Sequence, residues 1–131
     1  MTQIRFPLSV RFAGRETIEG FWEYSTSDPW AIVLHLDGQR WMFARELLRA
    51  GLAEPAGYGD VQIMPDTGGN PTLLLVRLSS PAGTASLPVA RDTVRSLVEV
   101  SYALVPDGGE AACIDWDREW ARLADGGSAA A

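Results

Sequence analysis

The sequence predicts an α+β fold, in which an antiparallel sheet of about seven strands is followed by helices. Apolar residues alternate at period 2 through most of the first half, which is typical of strands with one buried face. The period becomes helical near residue 44, again after Pro88 and again near residue 115. A length of 131 residues with 47% hydrophobic residues indicates one globular domain. We assign residues 1–124 to that domain and 125–131 to a flexible tail.

The seven predicted strands are apolar segments bounded by turn residues: 4–12, 18–24, 30–36, 40–43, 60–64, 72–78 and 84–87. Pro7 lacks an amide donor, so the first strand is expected at a sheet edge or at a bulge. Gly14-Arg15-Glu16 marks the turn that follows it. Asp28-Pro29 predicts a turn before the third strand, and Asp37-Gly38 predicts a tight hairpin between the third and fourth.

Three helices are predicted. Residues 44–50 form a short helix, which Gly51 is placed to end in the left-handed conformation. After Pro88 a longer helix carries its apolar residues on one face: Val94, Leu97, Val98, Tyr102 and Val105. Asp115 is a good cap for a last helix, whose apolar residues recur at one-turn spacings: Trp116, Trp120 and Leu123.

Charge and cysteine content exclude several classes of protein. Seventeen acidic against eleven basic residues give a net charge of −6, which argues against a protein that covers a nucleic-acid backbone. The single cysteine, Cys113, cannot form an intramolecular disulfide, so a reducing cytoplasm fits best. No apolar stretch approaches the roughly 18 residues that span a bilayer. We therefore expect a cytoplasmic protein with no direct membrane span.

The sequence contains no recognisable catalytic, cofactor-binding or metal-ligating set. His35 lies in an apolar strand without ligands at metal-site spacing, which favours a structural role. Cys113 has no basic neighbour in the sequence, so we expect it to fill apolar space. The acidic residues near 115–119 resemble a calcium loop only briefly, because Trp120 stands where such a loop requires glycine. The sequence predicts a protein that is not an enzyme.

One alternative is a surface that binds single-stranded nucleic acid. Basic and aromatic residues are interleaved near the N-terminus, as a base-stacking surface would require: Arg5, Phe6, Arg11, Phe12, Arg15, Trp22 and Tyr24. The competing interpretation is that the aromatic residues share the buried face of the sheet and the arginines face solvent. The negative net charge favours the second interpretation.

Six blocks of the chain resemble one known family in order and spacing, over about residues 24–124. The blocks are Tyr24 with 28–32 (DPWAI), 41–52 (WMFARELLRAGL), 55–61 (PAGYGDV), 78–83 (LSSPAG), 105–108 (VPDG) and 115–117 (DWD). They resemble the SsgA-like proteins, an actinobacterial family of sporulation and cell division. Met64-Pro65 departs from the family, whose members often have Trp-Pro there.

The resemblance implies a function and an assembly. It implies a non-enzymatic scaffold of sporulation-specific cell division, without cofactor, at the cell septum. Members recruit or tether the tubulin-like protein FtsZ and promote its assembly, act beside other SsgA-like proteins, or regulate septal wall-remodelling enzymes. The implied fold is a twisted antiparallel sheet packed with helices, assembled as a homotrimer and similar to the whirly class of single-strand binders. Similarity of fold does not carry nucleic-acid binding with it.

Four residues are candidates for contacts with a partner or with another subunit. Arg45 places a cation in the first turn of a helix, where the helix dipole disfavours it, so it should pair with an acid elsewhere or contact another subunit. The other three are Trp22, Trp30 and Trp41, because five tryptophans in so short a chain suggest aromatic area shared between subunits.

Overall fold

The computed structural model describes residues 1–11 and 17–130, with side chains as far as residue 124. The turn predicted at 14–16 lies outside the described residues. The described residues form seven strands, as the sequence predicts: β1 (Gln3–Arg11), β2 (Thr17–Ser25), β3 (Ala31–Leu36), β4 (Gln39–Ala44), β5 (Val61–Pro65), β6 (Leu73–Ser80) and β7 (Gly83–Ala90). Adjacent strands are antiparallel throughout. The strands form two sheets, β1-β2-β3-β4 and β5-β6-β7.

The predicted helices are also confirmed: α1 (Arg45–Gly51), α2 (Arg91–Leu104) and α3 (Trp116–Ala130), with a 3-10 turn at Glu110–Cys113. Asp115 caps α3, since its Oδ1 accepts a hydrogen bond from the Arg118 amide at 3.1 Å. α1 follows β4 directly and carries the chain from the first sheet to the second. The domain boundary at residue 124 stays a prediction.

The hairpin and edge predictions hold. Asp37 and Gly38 have φ of 52° and 74°, and Leu36 pairs with Gln39 across this two-residue turn. β1 is an outer strand of the four-stranded sheet, and its register with β2 is continuous, so Pro7 occupies an edge without a bulge.

The core lies between the inner faces of the two sheets and is closed by α1 and α2. Its members alternate along the strands and recur at helical spacing in α2, as the sequence pattern requires. The largest fully buried apolar side chains include Trp22, Tyr24, Ile32, Leu34, Leu48, Ile63, Leu74 and Leu97.

Gly51 does not serve the purpose that the sequence suggests. It is the last residue of α1, it does not have positive φ, and Leu52 after it has a right-handed φ of −66°. A Cβ at Gly51 would lie 2.7 Å from the Cβ of Ile63 and would also overlap the Cγ2 of that residue. Glycine is therefore required because α1 approaches β5 too closely for a side chain.

Candidate functional site

The most unusual group of the molecule is the buried guanidinium of Arg45. Only 2% of Arg45 is exposed. Its Nη1 donates to the Tyr24 hydroxyl at 3.1 Å and to the Ser101 carbonyl at 2.8 Å. Its Nη2 donates to Oε1 of Glu110 at 2.9 Å. One side chain thereby connects α1, β2, α2 and the 3-10 turn.

Two tyrosines surround this guanidinium. The Arg45 Cζ lies 3.9 Å from the centroid of the Tyr102 ring, and the Arg49 Cζ lies 4.4 Å from the same ring. Burial raises the pKa of both Tyr24 and Tyr102, partly offset by the neighbouring arginines. Tyr24 donates its hydroxyl proton to the Pro29 carbonyl at 2.9 Å, which fixes the orientation of its phenol beside the cation.

Glu110 is the distant acid with which Arg45 pairs. The hydrogen bond from Arg45 lowers the pKa of the Glu110 carboxyl below its ordinary value, with help from the Gly108 amide, which donates to Oε2 at 2.8 Å. Of the two alternatives for Arg45, pairing with a distant acid is confirmed. The cluster of Arg45, Tyr24, Ser101, Tyr102 and Glu110, here called the Arg45 cluster, holds the 3-10 turn against the domain.

The lowered pKa of Glu110 predicts a pH dependence. A carboxylate that is easier to ionise in the folded state stabilises that state above its unfolded pKa, and the stabilisation is lost as the pH falls through the folded pKa. The stability advantage of the wild type over Glu110→Gln should therefore be full near pH 7 and shrink as the pH falls below 4.5, the ordinary value for this carboxyl. Urea unfolding of both proteins at a series of pH values measures this difference. A constant difference across that range would contradict it.

The structure separates the four candidate contact residues into two pairs. Trp22 has no exposed surface and packs edge-to-face on Phe43, with ring centroids 6.3 Å apart. Trp22 and Arg45 are thus corrected from surface candidates to interior residues, since each is enclosed by its own chain. Trp41 is partly buried against the core, and Trp30 is 45% exposed. A contact of Trp30 or Trp41 with a partner stays a prediction.

Sequence reasoning did not name the exposed apolar side chains of α3 as contact candidates. Trp116, Trp120 and Leu123 of α3 are 50%, 65% and 62% exposed. Their one-turn spacing is visible in the sequence, where it predicts the helix but does not show whether the apolar face is covered.

His35 and Cys113 have the following environments. The His35 ring stacks on Phe21 at 4.2 Å, and its Nε2 lies 3.6 Å from a Glu23 carboxylate oxygen, which is in keeping with a structural role. Cys113 is exposed on the 3-10 turn, so its assignment as an apolar space-filler is wrong.

Among the described residues, no three His, Cys, Asp or Glu side chains converge as a metal site would require. No described helix has the length and apolarity to cross a membrane.

The interleaved arginines and aromatics do not form a shared stacking surface. Trp22 and Tyr24 are in the core and Phe6 packs against it. Arg5 and Arg11 alternate with Phe6 along β1 and so lie on the opposite face. Phe12 and Arg15 lie outside the described residues. For the described positions, the interpretation that the aromatics occupy the buried face is confirmed.

Comparison with known proteins gives consistent matches. A family model described as the Streptomyces sporulation and cell division protein SsgA matches residues 18–110. A sporulation-specific cell division protein of Frankia casuarinae is 40% identical over 109 residues, which are 80% of this chain and 75% of that protein. The sporulation-specific cell division protein SsgB of Kineococcus radiotolerans is 45% identical over 107 residues, 76% of this chain and 64% of that protein. The crystal structure of an SsgA-like sporulation-specific cell division protein from Thermobifida fusca superposes with a TM-score of 0.75 at 29% identity, covering 92% of this chain and 94% of that one.

Proposed function

The chain belongs to the SsgA family of sporulation and cell division proteins, and on that basis we propose that it is a non-enzymatic adaptor of sporulation-specific cell division. In this proposal it recruits or tethers FtsZ at septum sites and promotes FtsZ assembly. The observation that carries the proposal is the family match over residues 18–110, together with relatives that are named sporulation-specific cell division proteins.

The distribution of apolar residues supports a role in binding other proteins. Large apolar side chains stand on the surface at Trp30, Met42, Tyr58, Trp116 and Trp120. Aromatic residues and methionine are enriched where proteins bind one another, and a few of them commonly supply most of the binding free energy. The net charge of −6 disfavours polyanions as partners and leaves protein partners as the better fit.

The proposal includes assembly into a homo-oligomer of three copies. An oligomer presents the same surface several times, so contacts that are weak individually add through effective concentration on a repeating filament. The same mechanism accommodates other SsgA-like proteins as additional partners. It requires no catalytic group, because the adaptor acts by concentrating other molecules at one place.

Co-sedimentation with FtsZ filaments tests the proposal. We expect the protein to pellet with assembled FtsZ, to remain in the supernatant without it, and to increase FtsZ light scattering. A fluorescent fusion is expected at septa during sporulation. An unrelated acidic protein of similar size is the control for trapping. Absence of co-sedimentation, with FtsZ and with FtsZ plus a sister SsgA-like protein, would contradict the proposal.

A further inference from the structure

The C-terminal residues 106–124, here called the strap, bury very little surface against the rest of the chain. Within the strap Glu110 is the one buried residue that the structure describes, and most of the others are exposed. The apolar core ends at Val105 and contains no described residue of the strap. Burial of apolar surface is the main stabilising contribution to a fold, and the strap has almost none of it. Its position therefore depends on a few polar contacts.

Two ion pairs join the strap to the rest of the described chain. Arg45 Nη2 donates to Oε1 of Glu110 at 2.9 Å, and both side chains are buried. Arg49 Nη2 donates to Oδ2 of Asp107 at 3.4 Å, with side chains 42% and 69% exposed. The other hydrogen bonds of the described strap residues stay within the strap. Because water screens an exposed ion pair, the buried pair of Arg45 with Glu110 is the principal anchor.

α3 stands away from the body of the domain. An open cleft of about 790 Å³ lies between this helix and the turn around Asp28 and Trp30. α3 packs extensively on none of the described strands, nor on α1 or α2. Trp30 on one wall of the cleft and Trp116 on the other stay about half exposed. A helix of 15 residues is only marginally stable in water without tertiary packing, so α3 depends on what holds its first turn.

The first turn of α3 is connected to the anchor through the 3-10 turn. The Trp116 indole Nε1 donates to the Ala111 carbonyl at 3.1 Å. The Gly108 amide donates to Oε2 of Glu110 at 2.8 Å, while Oε1 of the same carboxylate accepts the bond from Arg45. One carboxylate thus organises the turn and fastens it to the domain at the same time. If the bond to Arg45 opens, the 3-10 turn and α3 should be released together.

The domain keeps its own contacts when the strap leaves. Arg45 Nη1 donates to the Tyr24 hydroxyl and to the Ser101 carbonyl. The Tyr102 ring lies against the same guanidinium. All of these residues precede the strap, and its removal uncovers the side of the guanidinium that carries Nη2. Water then replaces the carboxylate and no buried charge is left unpaired, so release costs much less than breaking the same ion pair inside a closed core.

We propose that the strap is a releasable arm: it opens as one unit while the two sheets and α2 stay folded, and the Arg45–Glu110 ion pair is the latch that holds it closed. Segments with few buried contacts open locally at a lower free energy than the whole domain unfolds. Opening exposes the guanidinium of Arg45 and lets α3 present Trp116 and Trp120 at positions that the closed strap does not reach. The inference concerns the conformation of this chain and does not rest on the adaptor function.

Hydrogen exchange followed by mass spectrometry tests whether the strap opens separately. In the wild type we expect protection factors in the 3-10 turn and α3 at least about 100-fold lower than those in β6 and the middle of α2, because the latter amides exchange only when the domain unfolds. Similar protection factors in the strap and in α2 would show that the two unfold together, which would overturn the inference. Protection of α3 that rises with protein concentration would also overturn it, since another copy would then be holding the helix.

Glu110→Ala tests whether the ion pair is the latch. Asp107→Ala is the matched control, since it removes the other strap acid that reaches an arginine but breaks only the exposed pair with Arg49. Trypsin cleavage after Arg118 in α3 is the readout, because the protease requires the helix to unravel locally. We expect Glu110→Ala to be cleaved there at least about tenfold faster than the wild type, and Asp107→Ala no more than about threefold faster.

Cleavage after Arg77 in β6 reports opening of the whole domain in the same digests. If Glu110→Ala is cut after Arg118 no faster than the wild type, the ion pair is not the latch and the inference fails. It fails as well if Arg77 is cut as fast as Arg118, because the sheets would then open with the strap. Glu110→Gln keeps one acceptor oxygen without the charge, so its cleavage rate should lie between those of the wild type and Glu110→Ala. This milder variant and the exchange of the wild type decide the question even where alanine prevents folding, which circular dichroism detects.

Discussion

Replacing Arg45 by methionine is expected to lower the free energy of unfolding by about 3–5 kcal/mol, a magnitude typical of breaking a buried ion pair from one side. Methionine fills part of the volume but donates nothing to the Tyr24 hydroxyl, the Ser101 carbonyl or Glu110. Equilibrium unfolding in urea, followed by tryptophan fluorescence, measures the change. For a domain of this size the loss corresponds to a fall in Tm of roughly 10–20 °C.

A matched control and a conservative variant show whether the stability that Arg45 provides depends on the geometry of its guanidinium or only on its charge. Arg95→Met removes a half-exposed arginine that lies 3.6 Å from Asp92, and it should change stability by less than about 0.5 kcal/mol. Arg45→Lys keeps the charge but cannot supply the planar set of donors, so it should restore only part of the loss.

The double variant Arg45→Met with Glu110→Gln completes the cycle. Removing both charges should cost less than the sum of the single changes, because neither partner is left behind alone. Additive losses would show that Arg45 stabilises the fold through Tyr24, Ser101 and Tyr102 rather than through Glu110. A loss below 1 kcal/mol for Arg45→Met, a limit we set from typical single substitutions, would refute the importance of the Arg45 cluster.

Much of the fold could be predicted because its signals are local. The alternation of Ile18, Gly20, Trp22 and Tyr24 identifies the buried face of β2. Asp37-Gly38 specifies the hairpin between β3 and β4 through backbone geometry alone. The division into two sheets could not be predicted in this way. The periodicity of a strand predicts which of its faces is buried, but it does not predict which strands are its neighbours in a sheet. The division falls between β4 and β5, which α1 separates along the chain.

The Arg45 cluster was only half predictable. A cation at the start of a short helix indicates an unusual environment, and that signal is present in the sequence. The partner of Arg45 is 65 residues away along the chain, and no local pattern connects the two.

For Trp22, two signals in the sequence pointed in opposite directions. Its position in the alternation of β2 correctly predicted that it is buried, whereas its residue type suggested an interface. The periodicity was the better guide, because a residue on the core face of a strand is covered by its own chain.

Trp22→Ala should also reduce the free energy of unfolding by about 3–5 kcal/mol, through lost burial and the cavity that remains. Its indole lies in the row between Leu34 and Phe6 and against Phe43, all within the core or packed on it. Trp30→Ala is the matched control, because 45% of Trp30 is already exposed and truncation there should cost much less. Urea unfolding of both variants beside the wild type gives the comparison.

A second substitution of Trp22 gives a sharper test of how much the burial of its indole contributes to stability. Its Nε1 is buried without a hydrogen-bond acceptor among the described atoms, so it carries a desolvation cost that phenylalanine does not have. Trp22→Phe should therefore lose much less stability than Trp22→Ala, since the lost ring volume is offset by removal of the unsatisfied donor. If phenylalanine were as harmful as alanine, the indole nitrogen would have to make a bond that the packing does not provide. If alanine were harmless while self-association fell, Trp22 would be an interface residue after all.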